Sequence, residues 1–317
     1  MTAGQMSAIG IGWDVRGWQG SAQAVAVVGW QADSNSLHWL GVSPLFRLSS
    51  RVAPDLAALL RPALQNELTL MQVAACSQLA LGIDAPLAFP RALRDLLNGQ
   101  PHSCAAPERE IDNPYAYRDC ERWLYQQYGK KPLSATFDRL GNNATLALSM
   151  LPRLSDLQLV PTVAPKASRA VLEVYPALAK VGGKASPARP ELAALLPADV
   201  LVGTDRYDAA LCALMALQYA AGGKVTVLPE LISPPSDMPC DEGWVYHFAH
   251  HGVEHNGMRR RGRGTSWRRS SCRCGPNGAK NLSLVRKLPV HPAPRWRIVI
   301  FIRYIAHLAD PLLWYSR

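Results

Sequence analysis

The sequence predicts an α/β protein built on a mixed sheet. Two apolar runs near the N-terminus, AIGIGWDVR at 8–16 and SAQAVAVVGW at 21–30, are joined by a glycine-flanked turn, the pattern of an antiparallel meander. Beyond about residue 55, strand-like runs alternate with helix-length apolar segments, as in a sheet carrying helices on its faces. No internal repeat of solenoid length is present.

The elements follow in order. LHWLGV at 37–42 completes the meander. Pro54 suits the first turn of a helix over 55–72, whose leucines recur at 56, 59, 60, 64 and 68. LALGID ends the next strand, at 78–84. Residues 88–155 read as a helical insertion with segments at 92–97, 115–128 and 144–154. ASRAVLEVYP at 167–176 is a strand stopped by proline, and 190–196 is a short helix. Residues 204–221 form a strong helix closed by Gly222 and Gly223. KVTVLP at 224–229 reads as a last edge strand.

Charge divides the chain. Of the 34 Lys and Arg, 14 lie in 255–317 beside a single acid, Asp310; residues 1–254 hold 20 basic and 23 acidic residues. A charge argument for nucleic acid therefore applies to the tail alone. The start of the chain has no basic and apolar leader pattern, and no stretch reaches the eighteen or so apolar residues of a membrane span. The seven cysteines are scattered without a CxxC pair, which points to a reducing, cytoplasmic setting, with Cys76 and Cys212 expected in the core.

Side chains alternate faces along a strand. In the first strand Gly10, Gly12 and Asp14 share a face; in LALGID, Ala80, Gly82 and Asp84 do. Two small residues and then an aspartate end each strand. As parallel neighbours the two carboxylates meet at the rim where open α/β sheets place their sites. Glu173 is an acid within the apolar strand VLEVYP. Asp205 and Asp208 start the strong helix on one face. Clustered carboxylates need a cation, and hard oxygen donors suit Mg²⁺ or Mn²⁺. Two such ions about 3.5–4 Å apart can activate water and stabilise a leaving oxygen in phosphodiester cleavage. Each acid also has a plainer role. Asp84 can cap a turn, Asp14 can pair with Arg16, Glu173 can pair with Arg169 or another basic residue, and Asp205 can cap its helix.

GIDAPLAFP, RDCERWL, LEVYP, TDRYDAALCALMALQYAAG and DEGWVYHF, in this order over about residues 9–248, resemble the DUF429 family. That resemblance implies an RNase H-like fold with a mixed five-stranded sheet, and a predicted nuclease activity. By position it makes Asp14, Asp84 and Asp208 metal ligands, with Asp205 the rival of Asp208 and Glu173 in the family's own EVYP motif. Asp55 and Glu67 sit near the ends of the helix that carries a further metal-binding acid in RNase H proper, and depart from that pattern. The reading is a metal-dependent nuclease with catalytic Asp14, Asp84, Glu173 and Asp208. The alternative is a catalytically silent RNase H-like module that binds nucleic acid or protein. An ATP-using relative of actin and the sugar kinases lacks its Gly-rich phosphate loop here.

In the insertion, Arg118 and Arg122 are expected to pair with Asp119 and Glu121 on a solvated helix face. Lys130 and Lys131, and alternatively Arg118 and Arg122, are candidates for phosphate contacts. His247, His250, His251 and His255 are spaced too irregularly for a metal site. The 255–317 tail reads as a disordered nucleic-acid-binding arm, a membrane-surface segment, or the out-of-frame reading of a GC-rich gene.

Overall fold

In the computed structural model of the chain, β1 (Ala8–Asp14), β2 (Ala24–Gln31) and β3 (Ser36–Val42) form the expected antiparallel meander. Residues 6–20, 22–48, 55–100, 105–138, 140–154, 156–179 and 189–249 are described. The tail and the histidines beyond His247 lie outside them. Asn35, at φ 47°, turns β2 into β3; asparagine tolerates this left-handed conformation better than most residues.

β4 (Leu79–Asp84) and β6 (Arg169–Val174) continue the sheet parallel to β1, followed by β8 (Val245–Phe248). The order is β3-β2-β1-β4-β6-β8, with the two-residue β7 (Leu231–Ile232) antiparallel to β8 and the three-residue β5 (Gln158–Val160) beside β6. Among the described residues the sheet thus has eight strands, not the five expected. The additional ones are too short to show a period-2 pattern.

The two faces are covered differently. Ile9, Ile11, Leu79, Leu81 and Ile83 pack against α1 (Leu56–Leu60), α2 (Glu67–Ala74) and α5 (Leu140–Met150). The other face carries α7 (Asp205–Ala220). A helix reading DAALCALMAL has almost no polar side, and α7 is buried nearly all round. The insertion supplies α3 (Arg91–Leu97), α4 (Asp119–Tyr128) and α5; α6 (Pro190–Ala193) is a single turn.

Three expectations change. The helix over 55–72 is two helices. Pro62 lacks the N–H that would continue the helical hydrogen bonds, so α1 stops at its cap Arg61, and α2 restarts where Asn66 accepts from Leu68 and Thr69 N–H. Leu68 is consequently exposed. KVTVLP forms turns instead of an edge strand. Gln218 on α7 accepts from Val225 N–H and donates to Pro229 O, taking the backbone groups a strand partner would need. Cys212 is core, but Cys76 is half-buried, with its thiol donating to Gln78 O. Among the described residues no helix is long and apolar enough to cross a membrane.

Candidate active site

β1 and β4 run parallel in register, with Gly10 beside Ala80, Gly12 beside Gly82, and Asp14 beside Asp84 at their C-terminal ends. The small residues before the acids have a structural cause. A Cβ on Gly12 would lie 2.0 Å from Ala209 O, and one on Gly10 would lie 2.2 Å from Ala213 O. The bare backbone admits α7 directly onto the two strands. That contact brings the first turn of α7, with Asp208, over the paired strand ends. Asp14 and Asp208 are buried, and Asp14 Oδ2 and Asp208 Oδ1 are shut off from solvent. Asp14, Asp84 and Asp208 line one cavity of about 300 Å³.

Asp205 stands differently. The cap of α7 is Thr204, whose Oγ1 accepts from Tyr207 N–H. Asp205 is the first helical residue and pairs with the Arg16 guanidinium. Arg16 also approaches Asp14, with Nε 3.5 Å from Oδ2. Arg16 therefore sits between an acid of β1 and an acid of α7. Asp208 lies in the first turn of this 16-residue helix, near the positive end of its dipole.

Glu173 is separated from the aspartate pair. It registers with Ile83, so it leaves the sheet on the face opposite Asp84. The faces can be compared only once the register is known. At the strand end Glu173 still borders the cavity. Its Oε1 accepts from Arg118 Nη2 at 2.6 Å, and its Oε2 from Arg118 Nη1 and Leu87 N–H, both at 2.8 Å. Arg118 also holds Glu121, at 2.9 Å. The pairs of Arg118 with Glu121 and of Arg122 with Asp119 form as expected. The Arg118 pair, however, is not solvated: Arg118 and Glu121 are 1% and 2% exposed. Burial pushes the Glu121 carboxyl above its usual range, with Arg118 opposing.

Glu242 of DEGWVYHF accepts from Arg91 N–H at 2.5 Å and Asp119 N–H at 2.8 Å, so one carboxylate serves the starts of α3 and α4. Lys130 donates to Ala177 O above the Tyr175 ring, and Lys131 pairs with Glu110. His247 is buried among Trp123, Tyr128 and Trp244, bonded to Tyr128 Oη and Val245 O. Asp55 caps α1 and Glu67 pairs with Arg61. Both have ordinary helix roles.

Tyr175 forms part of the cavity wall. Burial first, then the charges of Asp84 and Glu121, push its hydroxyl up to about 12. Burial also raises Tyr219 and Tyr246. The folded state keeps these protons while an unfolded tyrosine loses its own near pH 10. Stability is expected to be full below about pH 10 and to fall as pH rises toward about 12, with Tyr175 alone contributing about 2 kcal/mol. Urea midpoints between pH 9 and 11.5, read with tyrosinate absorbance, check this. A midpoint that does not move would contradict it.

Arg16 was read from sequence only as a partner of Asp14, and Tyr175 and Glu242 were not picked out. Arg16 has a visible signal, standing two residues beyond Asp14. Tyr175 shares the EVYP motif with Glu173, but its place on the wall depends on tertiary packing.

Three carboxylates supply hard oxygen donors suited to a small divalent cation. Among the described residues, however, no three His, Cys, Asp or Glu side chains are grouped closely enough to hold a metal ion as they stand. No family model matches the chain, and neither a curated protein nor a solved structure matches it.

Proposed function

We propose that the chain is a metal-dependent phosphodiesterase of RNase H-like fold that hydrolyses nucleic acid. The observation that carries this reading is the register of Asp14 against Asp84, with Asp208 on the same cavity. The meander followed by parallel β4 and β6 supports the fold assignment. Asp14, Asp84 and Asp208 would hold Mg²⁺ or Mn²⁺, which when bound polarises phosphate and lowers the pKa of water. The chain's own residues bring the acids together through the glycine contact with α7. They also enclose the site with apolar walls at Leu124 and Val174, where electrostatic interactions are stronger than in bulk water. The strand-end placement matches the rim at which open α/β sheets bind ligands.

Glu173, a candidate catalytic base in the sequence, has its oxygens engaged by Arg118 and Leu87. Its favoured role here is to fix the turn after β4, beside Asp84. Asp205 acts through Arg16 in the same spirit.

A second reading has its own observation. Arg16 already neutralises part of the acidic site, and no ready three-ligand group is formed among the described residues. A silent module binding nucleic acid or protein would look like this.

Calorimetric titration of Mn²⁺ separates the two. The full chain is expected to bind Mn²⁺, and the Asp14→Asn, Asp84→Asn double variant to lose at least about tenfold in affinity. Binding absent from both folded proteins, with and without an oligonucleotide, would favour the silent module.

A further inference from the structure

A tryptophan is fixed between two segments that line the cavity, in an arrangement the catalytic reading does not use. Trp18 follows Arg16 in the loop between β1 and β2, and it is 51% exposed. A large aromatic left in water normally lies loose on a surface. Trp18 is instead pinned at two points to one helix. Its indole Nε1 donates to Thr145 Oγ1 at 3.1 Å, and its backbone N–H donates to Asn142 Oδ1 at 3.3 Å. The neighbouring Asn143 donates to Val15 O at 2.6 Å, a third tie between this loop and α5.

These two segments also build the cavity. Val15 and Arg16 line it from the loop, and Leu140 and Asn143 line it from α5. The chain leading into α5 adds Leu133 to the lining and leaves Leu133 and Phe137 exposed. Exposed aromatic and apolar side chains thus stand on the segments that carry the cavity lining, and the Trp18 indole is fixed in orientation by a hydrogen bond at its polar edge.

We propose that Trp18 is a stacking platform for an unpaired nucleobase, and hence that the site takes single-stranded nucleic acid. The inference rests on the nucleic-acid reading above. Stacking uses the π-face that every base possesses, so it selects for an accessible base and not for a sequence. Bases within a duplex are already stacked and must be flipped out to reach such a ring. The contact reads no 2′-hydroxyl, so DNA and RNA single strands are both accommodated. Holding the indole in place before binding reduces the entropy cost of ordering it.

The test uses the full chain in EDTA, so that neither metal binding nor cleavage enters. Two fluorescein-labelled 12-mers are compared by anisotropy: oligothymidylate, and the same backbone with abasic sites. Phosphate contacts made by the basic tail are common to both probes and weaken with salt, whereas stacking does not. At about 0.3 M salt the wild-type protein is expected to prefer the base-bearing strand by about tenfold. Trp18→Phe, which keeps a ring but loses the bond to Thr145, should retain most of that preference. Trp18→Ala should bind both probes alike. Equal affinity of the wild-type protein for the two probes would overturn the proposal, as would a preference that survives in a folded Trp18→Ala variant. The metal-site reading stands or falls separately, on the Mn²⁺ titration.

Discussion

Gly12→Ala is expected to abolish or nearly abolish folding, although it adds a single methyl group. The new Cβ would lie 2.0 Å from Ala209 O and 2.2 Å from Ala213 N, both backbone atoms of α7. No rotamer change relieves a contact between one backbone and another. Either α7 lifts off the sheet, or β1 bends away from its partners. Overpacking of a well-filled core costs about 1–3 kcal/mol where side chains can yield, and here they cannot. We expect a loss of more than about 3 kcal/mol, a large part of the stability of an ordinary domain. Gly129→Ala is the control. A Cβ there meets nothing within 4 Å, so the substitution costs only the left-handed conformation at φ 65°, about 1 kcal/mol. Urea unfolding of the two variants beside the parent measures both. If Gly12→Ala unfolds at the parent's midpoint, the close seating of α7 on β1 is wrong, and with it the placement of Asp208 over Asp14.

The same contact explains which parts of the site were legible in the sequence. Alternation along AIGIGWD and LALGID shows that each strand presents small residues and then an acid on one face, and that pattern survives in the folded protein. It carries over because both constraints, a face for α7 and a rim for the acids, act on one strand at a time. Glu173 shows the limit. Its face within β6 is readable, but its relation to Asp84 depends on a register of one residue between strands, which leaves no mark in either strand alone. Arg118 shows a second limit. An i,i+3 pair with Glu121 looks the same in sequence whether the helix face is wet or buried. Only the arrival of β6 and of the loop before β8 makes it a buried network. Pro62 was a local signal that the leucine periodicity obscured, and the short strands β5, β7 and β8 are held by partners more than by pattern.

Arg118→Met is the second substitution expected to act strongly, and its pH dependence identifies the reason. In the parent one guanidinium neutralises Glu121 and Glu173 and is itself almost wholly enclosed. Methionine fills similar space and leaves two carboxylates buried without their counter-ion. Breaking a buried ion pair from one side costs about 3–5 kcal/mol, because the remaining charge has lost its compensation and cannot reach water. Without Arg118, nothing opposes the burial that already holds the Glu121 carboxyl above its usual range. A carboxyl shifted in that direction contributes stability at low pH, where it is neutral, and loses it as pH rises through the folded pKa. The variant is therefore expected to be least stable near pH 8 and to recover as pH falls toward 5. The parent, whose Arg118 opposes that shift, should recover less. Adding Glu121→Gln and Glu173→Gln removes the charges directly and should restore much of the loss at pH 8. Thermal melts of the three proteins at pH 5 and pH 8 decide the matter. A loss equal at both pH values would assign Arg118 a packing role and leave the charge network without energetic weight. A loss that disappears at pH 5 would show that this network holds the turn after β4, and with it Asp84, in place.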